Sequence, residues 1–86
     1  MSMATDLVAL IRESMSELDK RVAQLVAYKD ELRKVSSQLE ATLAGSTRRE
    51  EREMQAQLHR TMQQVDDTLA QIQRSKEMLQ RVLMHI

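Results

Sequence analysis

Apolar side chains return every seven residues along both halves of this chain, and that spacing constrains the fold more than any other feature. In the first half, Ile11, Leu18, Leu25, Leu32 and Leu39 form one unbroken column. Val8, Met15, Val22, Lys29, Ser36 and Leu43 form a second. Together they read as the d and a positions of a heptad repeat, interrupted only at Lys29 and Ser36. The second half repeats the pattern with Leu58, Val65, Ile72, Leu79 and Ile86 in one column and Met62, Leu69, Lys76 and Leu83 in the other, where Lys76 is the break. The spacing predicts an all-α chain whose helices pack along a narrow seam.

The chain has one glycine, Gly45, and no proline, so the backbone has one ready place to reverse. Thr47 followed by Glu50 fits a capping box, in which the threonine oxygen and the glutamate satisfy each other's backbone amides at a helix start. Gly45 then takes the left-handed position just past the first helix. These signals predict an antiparallel two-helix hairpin: a helix over about 4–44, a turn at 45–47 and a helix over about 48–85. Each arm is roughly 60 Å long at 1.5 Å per residue. In an antiparallel pair the numbers of facing seam residues have a constant sum. Pairing Ile11 with Leu83, Met15 with Leu79, Val22 with Ile72, Leu25 with Leu69 and Leu32 with Met62 gives 94 each time, centred on Thr47. A register displaced by seven also aligns the columns. The other topology is one long rod running through Gly45 into a parallel dimer, at a cost of about 1 kcal/mol for the glycine; the capping box and the constant sum argue against it. In the hairpin register Lys76 meets Leu18 and Lys29 meets Val65, with buried stems and ammonium groups at the seam's edge. Glu17 with Arg21, Asp30 with Lys34, and Glu77 with Arg81 have the four-residue spacing of helix-surface ion pairs.

With 86 residues the chain is a single small domain, below the size at which one core gives ample stability, so a bundle completed by association is expected. Its 42% hydrophobic content is aliphatic apart from one tyrosine, which suits a helical seam better than a globular core. Thirteen basic and thirteen acidic residues cancel, and neither arm is a basic footprint, which argues against nucleic acid as a partner. Cysteine is absent, so disulfides and thiolate metal sites are out. The longest apolar run, Leu7 to Ile11, is too short for a membrane span, and its charged flanks do not suit a cleaved signal peptide.

Catalytic and ligand-binding patterns are thin. His59 and His85 stand about 39 Å apart along a helix, too far to share a metal. Ser14 and Ser16 have no histidine within reach, and Asp66-Asp67 and Glu50-Glu51 read as solvated faces. Arg48, Arg49 and Arg52 are interspersed with Glu50, Glu51 and Glu53 and read as a neutralised helix start. No catalytic, cofactor or metal residue is assigned. What remains is the set of apolar residues off the seam: Leu7, Leu10, Val26, Tyr28 and Val35 on the first arm, Met54, Met78, Val82 and Met84 on the second. Of these, Leu7, Leu10, Tyr28, Val35, Met54, Met78, Val82 and Met84 are expected to bind partner helices, with adaptable methionines gathered at the open end of the hairpin.

The segment Leu25-Val26-Ala27-Tyr28-Lys29-Asp30-Glu31-Leu32, a turn and a second heptad helix resemble the small co-chaperones of type III secretion needle subunits. That resemblance implies a cytoplasmic bacterial hairpin that holds a partner chaperone and keeps the needle subunit from polymerising. The arms here are longer. In size and topology the chain also resembles the Trp-x-Gly secreted hairpins of type VII secretion. The turn Leu43-Ala44-Gly45-Ser46 lacks their tryptophan, however, and Tyr28 is followed four residues on by Leu32 and not by an acid. Three readings are carried forward: a non-enzymatic adaptor or secretion co-chaperone, a structural homo-oligomer, and a hairpin secreted without a cleaved signal.

Overall fold

A computed structural model describes residues 2–44 and 48–86. The chain forms two helices, α1 (Met3–Thr42) and α2 (Arg49–Met84), packed against each other as a hairpin 66 Å long and 15 Å across in both other directions. A single rod of 86 residues would run about 130 Å at the α-helical rise, so the continuous-helix topology is excluded. The forty residues of α1 carry neither glycine nor proline, and the helix runs unbroken for about 60 Å.

Helix ends follow local chemistry. Ser2 caps α1, its Oγ accepting from the Thr5 amide at 3.2 Å, and Asp6 adds negative charge to the first turn. The helix therefore starts slightly before the predicted Ala4. It stops at Thr42, two residues early, with the Leu43 amide donating to the Leu39 carbonyl at 2.7 Å. α2 starts at Arg49 with Arg48 as its cap, in extended geometry and without a side-chain cap bond. That displaces the predicted capping box: with Arg48 at the cap, Glu50 is the second helical residue and Glu51 the third. Thr47 and Gly45 lie outside the described residues. Glu50 and Glu51 in the first turn and Arg81 in the last complement the helix dipole.

The seam is the predicted one. On α1 the a and d side chains from Val8 to Leu43 are all at least half-buried, and on α2 the same holds for the heptad sites from Glu51 to Leu83. Two corrections come at the ends. Ile86, placed in a seam column by its spacing, lies beyond the His85 cap and is exposed. At the hinge the α2 seam sites are Glu51 and Gln55, while Met54 is exposed beside them. Glu51 is therefore half-buried, not solvated, and its Oε2 is enclosed without a hydrogen-bond partner among the described residues. The core is thin. Ile11 and Val65, 5% and 6% exposed, are its buried hydrophobic residues, joined by buried Ser36.

Among the described residues, two ion pairs cross the seam and lock the register. Lys29 Nζ pairs with Asp66 Oδ1, and Lys76 Nζ with Asp19 Oδ1. The residue numbers of each pair sum to 95, one more than the layer sum. Each lysine thus sits opposite the residue expected, Val65 or Leu18, and its ammonium reaches the aspartate one place further on. The lysine side chains are only 20% and 25% exposed while the aspartates are 51% and 61% exposed, as expected of buried stems with charges at the rim. Shifting the register by seven in one direction would set Lys29 beside His59 and Lys76 beside Arg12. The opposite shift would set them beside Gln73 and Val26. The observed register alone gives both lysines an acid.

Surface pairing within the helices differs from the prediction. Lys20 closes on Glu17 at 3.5 Å, Arg33 on Asp30 at 3.7 Å and Lys34 on Glu31 at 3.6 Å, all at three-residue spacing. Arg21 turns instead to Gln24, and Glu77 accepts from Gln73. These solvent-facing pairs stabilise the helices by only a few tenths of a kcal/mol each, so side-chain entropy readily exchanges one spacing for the other.

Candidate docking face

The positions that flank the seam on either side are e and g, and in an antiparallel pair e faces e and g faces g. The two sides of this hairpin differ in kind. The e side carries Arg12, Asp19, Arg33 and Glu40 from α1 and Arg52 and Asp66 from α2. Both cross-seam ion pairs emerge there, because a-position lysines lie next to the partner helix's e column. The g side of α2 reads Met54, Thr61, Thr68, Ser75 and Val82, without a charge. The g side of α1 reads Leu7, Ser14, Arg21, Tyr28, Val35 and Thr42, with Arg21 its one charge. Beneath these columns run the leucine-rich d columns, apolar throughout except for Glu51. One long side of the rod is thus a band of largely uncharged aliphatic, hydroxyl and aromatic groups, whereas on the other six of the eleven e positions are charged.

The apolar residues singled out from sequence can now be placed. All eight are exposed. Leu7, Tyr28, Val35, Met54 and Val82 lie in the g columns, spread over the full length of the rod, with Tyr28 near its middle. Leu10 and Met78 sit at c, directly behind g on the same side. Met84 sits at b, on the other side of α2. Sequence spacing had gathered Leu7, Leu10, Met78, Val82 and Met84 at one open end; helix geometry orders seven of the eight along one face. Met3, also at a c position, is an exposed apolar residue that the sequence reading passed over. Val26 is the exception on the charged side.

Ser14 and Thr61, although outside the a and d columns, are half-buried. Both belong to the g columns, so this side curls in toward the seam. Two shallow grooves follow the same side near the open end. One is lined by Leu10, Glu13, Ser14, Glu17 and Leu18, the other by Ser75, Met78, Leu79 and Val82. The seam register sets residues 75–82 of α2 against residues 12–19 of α1, so the two grooves lie at one height across the seam. A third depression, lined by Arg49, Arg52, Glu53 and Ala56, lies on the outer surface near the hinge.

The heptad letters needed to separate these sides were available in the sequence. What hid the face was the sorting of residues by hydrophobicity: Thr61, Thr68 and Ser75 are not apolar, and only their lack of charge at seven-residue spacing marks the column. The aspartates that hold the register were also legible, one place beyond the layer partner of each lysine.

Among the described residues, no group of three or more His, Asp or Glu side chains is arranged to hold a metal ion, and Asp66, near His59 in the sequence, is engaged by Lys29. No helix of the described chain is long and apolar enough to cross a membrane. Comparison of the chain with family models, with curated proteins and with solved structures finds no match.

Proposed function

We propose that this chain is a non-enzymatic interaction module, a helical-hairpin adaptor that receives partner helices along its g-side face. The observation that carries this reading is the separation of charge: ten of the eleven g positions are uncharged, while six of the eleven e positions are charged. Helices that add apolar or neutral residues at one flank of an a/d stripe have the wider face of a bundle member, whereas a free-standing coiled coil needs only the stripe. Exposed methionines at Met54 and Met78 and the central Tyr28 supply deformable and amphipathic contacts of the kind that interaction surfaces favour.

Within this reading, the resemblance to needle-subunit co-chaperones supports a bacterial cytoplasmic secretion chaperone complex as the setting. A secreted hairpin of the type VII kind is the other setting, supported by size and topology alone. The test is affinity capture from the native source with three baits: the natural chain, a Thr68→Glu, Ser75→Glu variant, and a Gln73→Glu, Gln80→Glu control that carries the same added charge on the e side. The reading expects the natural chain and the control to retain a specific partner and the g-side variant to lose it. Equal capture by all three baits would refute it.

A further inference from the structure

We infer that the g-side face docks a second copy of this chain, forming a symmetric four-helix dimer. The inference rests on the face proposed above and names its occupant.

The first argument is the deficit in the hairpin itself. With Ile11 and Val65 as its buried hydrophobic residues, a single hairpin leaves most of its seam half-exposed. A second layer of helices would cover what this thin seam leaves exposed, and the burial it adds would stabilise the chain. The side on which the seam is flanked by uncharged residues is the g side, since the lysine–aspartate pairs occupy the other.

The second is area. A face 66 Å long and 15 Å wide presents about 1,000 Å², so two copies pressed together would remove roughly 2,000 Å² from water. Specific stable interfaces bury about 1,200–2,000 Å² in total. The length of the rod therefore gives a second copy all the contact that a stable dimer requires.

The third is self-complementarity. A two-fold axis in the interface can run across the rods or along them, and neither brings like charges together. Across the rods, α1 meets α1 in reverse and Arg21 of one copy comes over Tyr28 of the other, a favourable cation–aromatic pairing. Met54 then meets Val82, and Thr68 meets its own counterpart near mid-length. Along the rods, α1 meets α2 of the other copy at the same height, and Arg21 comes nearest Ser75. Tyr28 comes nearest Thr68, and Val35 nearest Thr61. In both arrangements the only charged g side chain finds an uncharged one, and the net charge of zero adds no long-range repulsion between copies.

The experiment uses the purified full chain. Because the natural sequence has no cysteine, single cysteines can report contact directly. Thr68 lies near mid-length on the g side, so an axis across the rods sets it over its own counterpart and an axis along them keeps the two at one height, diagonally across the bundle, whereas Gln73 on the e side faces away from the interface in both. Sedimentation equilibrium should give twice the chain mass at micromolar concentration. A short bismaleimide should join copies of Thr68→Cys and leave copies of Gln73→Cys apart. The Thr68→Glu, Ser75→Glu variant, checked for helicity by circular dichroism, should dimerise at least about 10-fold more weakly, because one carboxylate would be enclosed without a partner even where the other reaches Arg21. The Gln73→Glu, Gln80→Glu control should stay within about threefold of the natural chain, as expected for rim substitutions. A single-chain mass for the natural protein up to about 100 µM would overturn the second copy as occupant, whatever the variants do. So would preferential joining of Gln73→Cys. If the natural chain is a monomer yet the g-side variant alone loses its partner in affinity capture, the docking face stands and only its occupant is wrong. If capture is also unchanged, both readings fall.

Discussion

Removing either aspartate that crosses the seam should destabilise the hairpin, while removing its lysine should not. In Asp66→Ala the Lys29 ammonium, on a side chain only 20% exposed, loses its partner but cannot leave the seam without uncovering its stem. In Lys29→Met the apolar stem is kept and the charge disappears with the pair, leaving an exposed aspartate that water solvates readily. Exposed ion pairs contribute about 0.2–1 kcal/mol. The half-exposed aspartates and shielded lysines place these pairs near the upper end, at about 1 kcal/mol each. The pairs are separated by roughly ten residues along α1, about 15 Å, so their effects should add. Asp19→Ala with Asp66→Ala should therefore cost about 2 kcal/mol and lower the melting temperature by roughly 8–16 °C for a domain of this size. Circular dichroism melts at fixed protein concentration read this directly. Asp67→Ala, on the outer surface of α2, should stay within about 0.5 kcal/mol of the natural chain. In 1 M salt the cost of the double substitution should shrink, since the aspartates face solvent. Equal melting temperatures for Asp66→Ala and Asp67→Ala, or a loss in Lys29→Met as large as in Asp66→Ala, would refute the view that the acids hold the register by neutralising half-buried lysines.

Other outcomes follow from the same structure. Glu51→Leu should raise stability by about 1–2 kcal/mol in urea unfolding, because it removes an enclosed, unpartnered carboxylate oxygen at a seam site and adds apolar contact. Ile11→Ala should cost about 2 kcal/mol, at the low end for a buried isoleucine because a two-helix seam can close around the gap, whereas Met84→Ala should be nearly neutral. Ser2→Ala should cost about 1 kcal/mol and appear first as faster amide exchange in the opening turn of α1, since its cap bond to Thr5 would be lost. Labels at Ser14 and Gln80 should be close within one chain, and a register displaced by seven residues would move them about 10 Å apart along the axis.

The sequence by itself determined that the chain is helical, that it folds back near its middle, and which side chains face inward. A seven-residue period admits few other solutions, and one glycine in a chain without proline marks the reversal. It also carried the off-seam apolar residues, from Leu7 to Met84, although sorting them by position along the rod suggested an end and not a side. The tertiary structure decided three things. It fixed one register among those that a repeating pattern allows, through Lys29 with Asp66 and Lys76 with Asp19. It moved the start of α2 to Arg49 and carried the seam one heptad before Leu58, so that Glu51 occupies a d site that hydrophobicity alone does not mark. It also divided the flanking residues into an ionic side and an uncharged one. Sidedness depends on which column of one helix lies beside which column of the other, and chain direction decides that: an antiparallel pair sets g beside g and e beside e in any heptad register, whereas a parallel pair sets e beside g.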